Sequence, residues 1–407
     1  MSKTIALENC VQILDNLRKP INSDERYLRS GNIPYYGANG QQGWIDDFLF
    51  DENLVLLAED GGDFDNYHTK PIAYRVSGKS WVNNHAHVLK AIPEVLDNDY
   101  LYWALVHKNI VKFVSGGTRS KLNQSELRKI EIPYFSIEKQ KKISFVLNKI
   151  EIQTDLTKDL IAKLNKKKRG LSNDLLTRGV DSHGNLRPSY EDAPDLYQET
   201  ELGFIPKEWE ICGLHDIQRA DKPVLKTGPF GSALKSEHWR ESGHPVITIG
   251  SLGVNTIIES ELLYIDDLTF NGLSTYLVEG GDIIFSRVAD VGRCLIVQEH
   301  HKDWVMSSNL MRISVDKKIF KPELLTFILS SSSSLRKQIR KLVNSAGRDV
   351  ANGEVLMKLK FAKPPVEEQV KIINIVERMN MAIDQELEQL NKLSNIKTGL
   401  LKDLLQN

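Results

Sequence analysis

Apolar positions follow two rhythms along this chain. Toward its end they recur at Ile372, Val376, Met379, Ile383, Leu387, Leu390 and Leu393, in steps of 4, 3, 4, 4, 3 and 3. Such steps draw one stripe down a helix and predict a coiled-coil seam, which Leu400 and Leu404 carry past Gly399. An earlier stretch offers Ile143, Leu147, Ile150, Leu160, Leu164, Leu171 and Leu175, but Gln153 to Thr157 is polar at seam positions and leaves the register open there. At 1.5 Å per residue, roughly 33 residues over 138–170 make a rod of about 50 Å. A stripe that long needs a covering helix, and the two stripes are natural candidates for each other, within one chain or between two. Pro133 precedes Glu138, and Pro364-Pro365 precedes Glu367-Glu368, as suits helix N-termini. Gly170 and Gly399 lie inside the expected helices, where a kink can form.

The second rhythm is short. Runs such as Leu54-Val55-Leu56-Leu57, Ile72-Ala73-Tyr74, Val246-Ile247-Thr248-Ile249, Asp282-Ile283-Ile284-Phe285 and Cys294-Leu295-Ile296-Val297 are bounded by glycine-rich turns and read as strands. Pro34 and Pro245 open two further strands, and helical patterns follow at 97–113 and 321–343. Each globular stretch is therefore expected to be mixed α/β (α+β).

The chain also contains itself twice. Residues 129–178 align with 358–407 at an offset of 229, with 14 of 50 pairs identical, where chance gives about three. Among the pairs are Gln140/Gln369, Ile143/Ile372, Lys163-Leu164/Lys392-Leu393 and Asp174-Leu175-Leu176/Asp403-Leu404-Leu405. Trp81-Val82 matches Trp304-Val305 at 223, so the second copy gains about six residues, assigned to Ser330–Ser334. A period near 200 residues is too long for a solenoid and means duplicated domains. The expected divisions are a first globular domain over 1–135, a first long helix over 136–178, a connector loop without periodicity over 179–201, a second globular domain over 202–364 and a second long helix over 365–407.

Length and composition set limits. At 407 residues two to three domains are expected, and 41% apolar with 26% charged residues is ordinary globular composition. No apolar run is long enough for a membrane span, and the N-terminus has no signal-peptide core. Cys10, Cys212 and Cys294 are odd in number, far apart and without CxxC spacing, which predicts free thiols, no zinc site and a cytoplasmic location. A net charge of −1 argues against tight independent binding to nucleic acid, so any basic surface has to be local.

The order of these parts resembles the specificity (S) subunits of Type I restriction-modification enzymes, over essentially the whole chain. The resemblance is carried by Leu202-Gly203-x-Ile205-Pro206-x-x-Trp209, the Glu138-x-Gln140 and Glu367-Glu368-Gln369 helix starts, the paired Asp-Leu-Leu motifs, Gly228-Pro229-Phe230-Gly231-Ser232-x-Leu234-Lys235, and Trp81-Val82-Asn83-Asn84-His85-Ala86-His87. Each motif is weak alone; their order, spacing and duplication are specific. The resemblance implies two target-recognition domains, each reading one part of a split site in double-stranded DNA. It implies long helices that pair as an antiparallel coiled coil and fix the spacing, two methyltransferase (M) subunits docked on the helices, and motor-nuclease restriction (R) subunits completing the complex. A duplicated chain offers similar faces to two copies of one partner. No catalysis, metal or bound cofactor is expected on this chain; S-adenosylmethionine, ATP and Mg are expected on the partner subunits.

The residues agree with a recognition role. There is no Asp/Asn-Pro-Pro-Tyr/Phe loop for adenine methylation, since Lys363-Pro364-Pro365-Val366 lacks acid and aromatic, and no GxxxxGK[ST] phosphate loop. The acidic stretch from Glu59 to Asp65, with His68 and Lys70, is the nearest approach to a metal-dependent nuclease site, against a polar loop that touches bases or is simply solvated. Asn and Gln suit adenine, and Arg and Lys suit guanine, in the major groove. The candidates for DNA contact are Asn39, Gln41, Gln42, Asn83, Asn84, His85, Arg119 and Lys121 in the first half. In the second they are Lys226, Ser232, Lys235, His238, Arg287, Arg293, Ser308, Asn309 and Arg348. These segments also read as ordinary Gly/Asn turns, and both readings stand at this point. Trp81 and Trp304 are assigned to the core, and the lysine-rich helix faces to solvent. The rival functions are a specificity subunit of another bipartite methyltransferase-nuclease system, a coiled-coil scaffold that does not read DNA, and a nuclease.

Overall fold

A computed structural model describes residues 3–116, 120–230, 233–253, 256–288, 293–345 and 352–405. Contacts divide the chain into two compact units, Met1–Leu160 with Glu386–Asn407, and Ile161–Gln385. The division cuts through both long helices, so each unit holds a globular domain, the opening of one helix and the close of the other.

In the first unit, the β-branched and leucine-rich runs form an antiparallel sheet ordered Val11–Ile13, Ala86–Ala91, Leu54–Ala58, Ala73–Val76. A second sheet is ordered Gly40–Ile45, Ile33–Gly37, Lys79–Val82, Phe50–Asp51, with its middle pair parallel and Tyr35 opposite Trp81. Thr4–Ala6 pairs with Glu131–Pro133. The helix Asn98–Leu105, capped by the Asp97 carboxylate on the Tyr100 N–H, buries Tyr100, Leu101, Trp103 and Leu105.

The second unit repeats this arrangement, without a counterpart to Phe50–Asp51 among its described strands. Its sheets are ordered Leu225–Thr227, Leu310–Ile313, Ile283–Ser286, Cys294–Ile296, and Leu263–Ile265, His244–Ile247, Val305–Met306, the last pair again parallel. Glu210–Cys212 pairs with Phe361–Lys363, and the helix Pro322–Ser331 stands for Asn98–Leu105. Trp81 is buried and Trp304 packs against the core, each beside its parallel pair. The cysteines are free and buried, and burial pushes each thiol up to about 12.

The long helices run Ile137–Thr177 and Val366–Leu405, continuing through Gly170 and Gly399. In the first unit Ile143 and Leu147 share a core with Leu401 and Leu405, and Lys397 meets Glu151 at 3.3 Å. In the second unit Leu175 shares a core with Ile372. The start of each helix thus packs with the end of the other, the antiparallel arrangement. Burial corrects the seam at two residues, because Leu160 is 42% and Leu387 47% exposed. The covered positions are 143, 147, 150, 154, 157, 161, 164, 168, 171 and 175, and their counterparts 229 further on, 372, 376, 379, 383, 386, 390, 393, 397, 400 and 404. Steps of 4 and 3 alternate without interruption, and every seam position of one helix maps onto a seam position of the other. Thr157, 2% exposed, and Ile161 take the place expected of Leu160, and Glu386 that of Leu387.

Two buried glutamines fasten the helix starts. Gln140 accepts from the Asp97 N–H at 2.9 Å and donates to the Val95 and Phe135 carbonyls at 3.1 and 2.9 Å. Gln369 does the same with the Lys321 N–H at 2.8 Å and the Ile319 and Pro364 carbonyls at 3.2 and 2.9 Å. Each satisfies backbone groups that would otherwise be buried without partners.

The stretch expected as a plain connector loop is built otherwise. Tyr197–Thr200 forms a hairpin with Gly203–Pro206 across the boundary drawn at 201/202. The Arg187 guanidinium, Val180 N–H and Trp209 indole N–H all converge on the buried Glu368 carboxylate. Gly179, at φ +63°, passes where a Cβ would strike Glu368 and Trp209.

Candidate nucleic-acid interface

In an antiparallel sheet, loops leaving alternate strands gather at one end. In the first unit that end collects Asp15 after Val11–Ile13, Glu59 and Asp60 after Leu54–Ala58, and His85 before Ala86–Ala91. The Leu122 N–H donates to the Glu59 carbonyl at 2.7 Å, and the Gly61 N–H to the Ser120 carbonyl at 3.3 Å, which brings the loop holding Lys121 against them. The neighbouring turn joins through Asn39, whose side chain donates to the Gly61 carbonyl at 3.1 Å. Asn39, Gln41, Gln42, Asn84 and Lys121 are exposed on this assembly and His85 is half-buried, its Nδ1 2.5 Å from Asp60.

Asn83 is corrected from a reader to a brace. It is 4% exposed, donates to Gln42 Oε1 at 3.3 Å and accepts from the His85 N–H at 2.9 Å. Arg119 lies outside the described residues.

A buried ionic knot underlies these loops. His87 meets the Asp15 carboxylate through Nδ1 at 2.6 Å and the Leu122 carbonyl through Nε2 at 2.8 Å. Arg18 pairs with Glu59 at 2.6 Å, and Lys121 with Glu59 at 3.2 Å. Asp63 is held by Lys70 at 3.0 Å. Asp15, Glu59 and His87 stand close enough together to hold a metal ion, yet their lone pairs and protons already serve one another and the loops.

Burial would raise the Asp15 carboxyl, but the His87 hydrogen bond and charge, the Val88 N–H and Arg18 hold it below the usual carboxylate range. A depressed folded pKa contributes stability above the unfolded value, and that stability is lost as pH falls through the folded one. The first unit should therefore lose stability as pH falls from about 4 into the more acid range. Urea melts of wild type and Asp15→Asn across that range test this; a wild-type acid limb no steeper than that of the variant would refute it.

The same end of the second unit's sheet collects Gly228 after Leu225–Thr227, Arg287 after Ile283–Ser286, Arg293 before Cys294–Ile296, and Ser308 and Asn309 before Leu310–Ile313. Gly228 lies so close to Ser307 that a Cβ would collide with its carbonyl. The Arg287 guanidinium donates to the Ser308 carbonyl at 3.3 Å and lies 5.5 Å from the ring centroid of Phe230, which is 65% exposed. The Arg287 backbone N–H donates to the Asn309 carbonyl at 3.1 Å, and the Arg293 carbonyl accepts from the Ser286 N–H at 2.8 Å. Lys226 points its ammonium over Tyr276, 4.9 Å from the ring centroid. Lys235 and His238 form their own turn, closed by the Lys235 N–H on His238 Nδ1 at 2.9 Å. Ser232 and Arg348 lie outside the described residues. The exposed aromatics Phe230 and, in the first unit, Trp44 and Tyr27 were missed as contact candidates, because an aromatic in a strand or turn reads as core until its exposure is known.

Comparison with known proteins places this arrangement. The model of the Type I restriction modification DNA specificity domain matches twice, at residues 3–166 and 206–396, in step with the duplication. A type I restriction enzyme specificity subunit of Haemophilus influenzae is 28% identical over 383 residues, covering 91% of this chain and 86% of that one. The MjaVIII specificity subunit of Methanocaldococcus jannaschii is 22% identical, covering 88% and 80%. The crystal structure of a Type I restriction-modification S subunit from M. genitalium shares the fold at a TM-score of 0.63, with 17% identity over 99% of this chain and 95% of that one. Among the described residues no helix is long and apolar enough to cross a membrane. With two recognition-type domains in one duplicated chain, the protein belongs to the Type I restriction-modification DNA specificity family.

Proposed function

We propose that each globular domain reads one part of a bipartite DNA site, that the paired helices set the distance between the parts, and that two methyltransferase subunits dock on those helices, with motor-nuclease subunits completing the restriction complex. The observation that carries this reading is the duplication itself. Equivalent sheet ends in the two units each present a cluster of polar turns, with Asn, Gln and Lys over the buried knot of Asp15, Glu59 and His87 in the first, and with Arg287, Arg293, Ser308 and Asn309 around Gly228 in the second. Such side chains read base edges, while backbone N–H groups and cations take phosphates. The near-neutral charge fits a chain whose partners supply much of the phosphate contact. S-adenosylmethionine, ATP and Mg belong to those partners in this scheme, and the cell compartment is the cytoplasm, where the DNA is.

The test is modified-base sequencing of DNA from cells carrying this chain with its cognate methyltransferase subunit, beside cells lacking only this chain. The expected result is a split motif, two short parts around a fixed gap, present only with the chain. Identical methylation in both, despite proven complex formation and an active methyltransferase, would leave a scaffold.

A further inference from the structure

The two units differ at one equivalent place, and the first unit shows what the second lacks. On the first unit's strand Ala73–Val76, Arg75 reaches the flank of the first long helix. Its guanidinium pairs with Glu151, donates to Asn148 Oδ1 at 2.5 Å and meets Asp99 at 3.4 Å. It lies 4.3 Å from the ring centroid of Tyr102 and 5.4 Å from that of Trp103. Lys397 closes the group, 3.3 Å from Glu151 and 4.9 Å from the Trp103 ring centroid. Two cations thus face two carboxylates.

Strand register and the repeat offsets fix the counterparts. Val55 stands opposite Arg75 and Leu89, and Ile283 opposite Ile296 and Ile313, with Val55 and Ile283 both on the sheet face that packs on the helices, so Ile296 occupies the place of Arg75. The helix offset of 229 turns Asn148, Glu151 and Lys397 into Glu377, Asn380 and Lys168. The two glutamine anchors equate Asp97 with Lys321, and the same offset turns Asp99 and Trp103 into Glu323 and Phe327. All of these line an open cavity of about 380 Å³ within the second unit, together with Asp384 and Met381. Here Lys168 is the one cation in the lining beside Glu323, Glu377 and Asp384, which are exposed and have no ion-pair partner among the described residues. Asn380 Oδ1, in the place of the Glu151 carboxylate, is buried without a hydrogen-bond donor. The site has an acceptor, three carboxylates against one lysine, and an aromatic wall.

We propose that this cavity is a socket for an arginine side chain presented by a partner protein. A guanidinium would stack on Phe327, donate to Asn380 Oδ1 and pair with Glu377 and Glu323, reproducing the Arg75 group in trans. A lysine ammonium is a point charge that cannot satisfy these acceptors in one plane. Met381 at the rim is 61% exposed, an apolar shoulder that a polypeptide would cover and a free ion would not. The partner is the methyltransferase subunit, so this part rests on the docking reading above.

Two measurements on the full chain test it. Affinity for the cognate methyltransferase subunit, taken without DNA, should fall at least about tenfold in the double variant Glu323→Gln/Glu377→Gln, at an unchanged melting temperature. N-acetyl-arginine amide at millimolar concentration should bind wild type saturably, the variant hardly, and N-acetyl-lysine amide more weakly. Equal assembly and equal probe binding in wild type and variant would overturn the socket, as would arginine and lysine probes of equal strength. A wild type that takes up the arginine probe but does not assemble would support the socket chemistry and place the failure in the docking reading.

Discussion

Replacing Glu368 with leucine is expected to cost the second unit about 3–5 kcal/mol. The carboxylate is buried and takes four donors: the Val180 N–H at 2.8 Å, the two Arg187 terminal nitrogens at 2.5 and 3.0 Å, and the Trp209 indole N–H at 3.0 Å. Leucine fills the volume but leaves an indole N–H and a backbone N–H without an acceptor, and a largely buried guanidinium with only Glu208 at 2.7 Å and the Arg178 carbonyl at 3.2 Å. These donors come from the end of the first helix, the connector and the entry to the second domain, so their release should also open 179–209 to protease. Denaturant unfolding of wild type, Glu368→Leu, Arg187→Met and the double variant measures the effect. The double variant should recover more than about 1 kcal/mol relative to additivity, because removing both partners no longer strands a charge. A single-variant loss below about 1 kcal/mol would mean that solvent reaches the knot and that the connector is held elsewhere.

How far the sequence revealed this protein depended on which residue carried each position. The duplication, the two long helices and the mixed α/β character stood in the pattern because leucine and isoleucine marked enough of the seam. The seam failed where polar residues occupy it: Thr154 and Thr157 in one helix, Glu386 in the other, and Lys168 with Lys397 in both. Following hydrophobicity alone picked Leu160 and Leu387, each one position away from the covered face. The repeat offset would have corrected this, since Lys168/Lys397 are identical and Thr157/Glu386 are both polar at the same heptad place.

Gln140 and Gln369 were visible as a paired motif, but two of the three backbone partners of each lie 43 to 50 residues away, and only tertiary structure shows why a glutamine is needed. Among the recognition loops, Asn83 and Asn84 are indistinguishable as letters; the turn between Lys79–Val82 and Ala86–Ala91 buries one and exposes the other. The ionic knot of Asp15, Glu59 and His87 was invisible because three segments far apart in sequence build it.

Removing residues 154–160 together with 383–389 should leave both units folded and change the DNA target. The deletion takes one heptad from each helix at equivalent places. Ile161 then follows Ile150, and Leu390 follows Met379, each at a step of four, so the alternation of 4 and 3 survives. The packing of Ile143 and Leu147 with Leu401, and of Leu175 with Ile372, lies outside the deleted segments. Seven residues shorten a helix by about 10 Å, which equals at most about three base pairs of DNA. Three base pairs also turn the duplex by about 100°, so the original site is mismatched in phase as well as length. Methylation at the original gap should fall at least about tenfold, and any new motif should carry a gap shorter by no more than about three base pairs. A single residue inserted after Thr157 alone is the contrasting case. It rotates Ile161, Leu164, Leu171 and Leu175 by about 100° relative to the residues before it, which breaks the seam and should abolish cooperative folding rather than retune the target. Modified-base sequencing and thermal melts of the two variants separate these effects. A folded heptad-deletion variant that keeps the original gap at full methylation would show that something other than the paired helices sets the spacing.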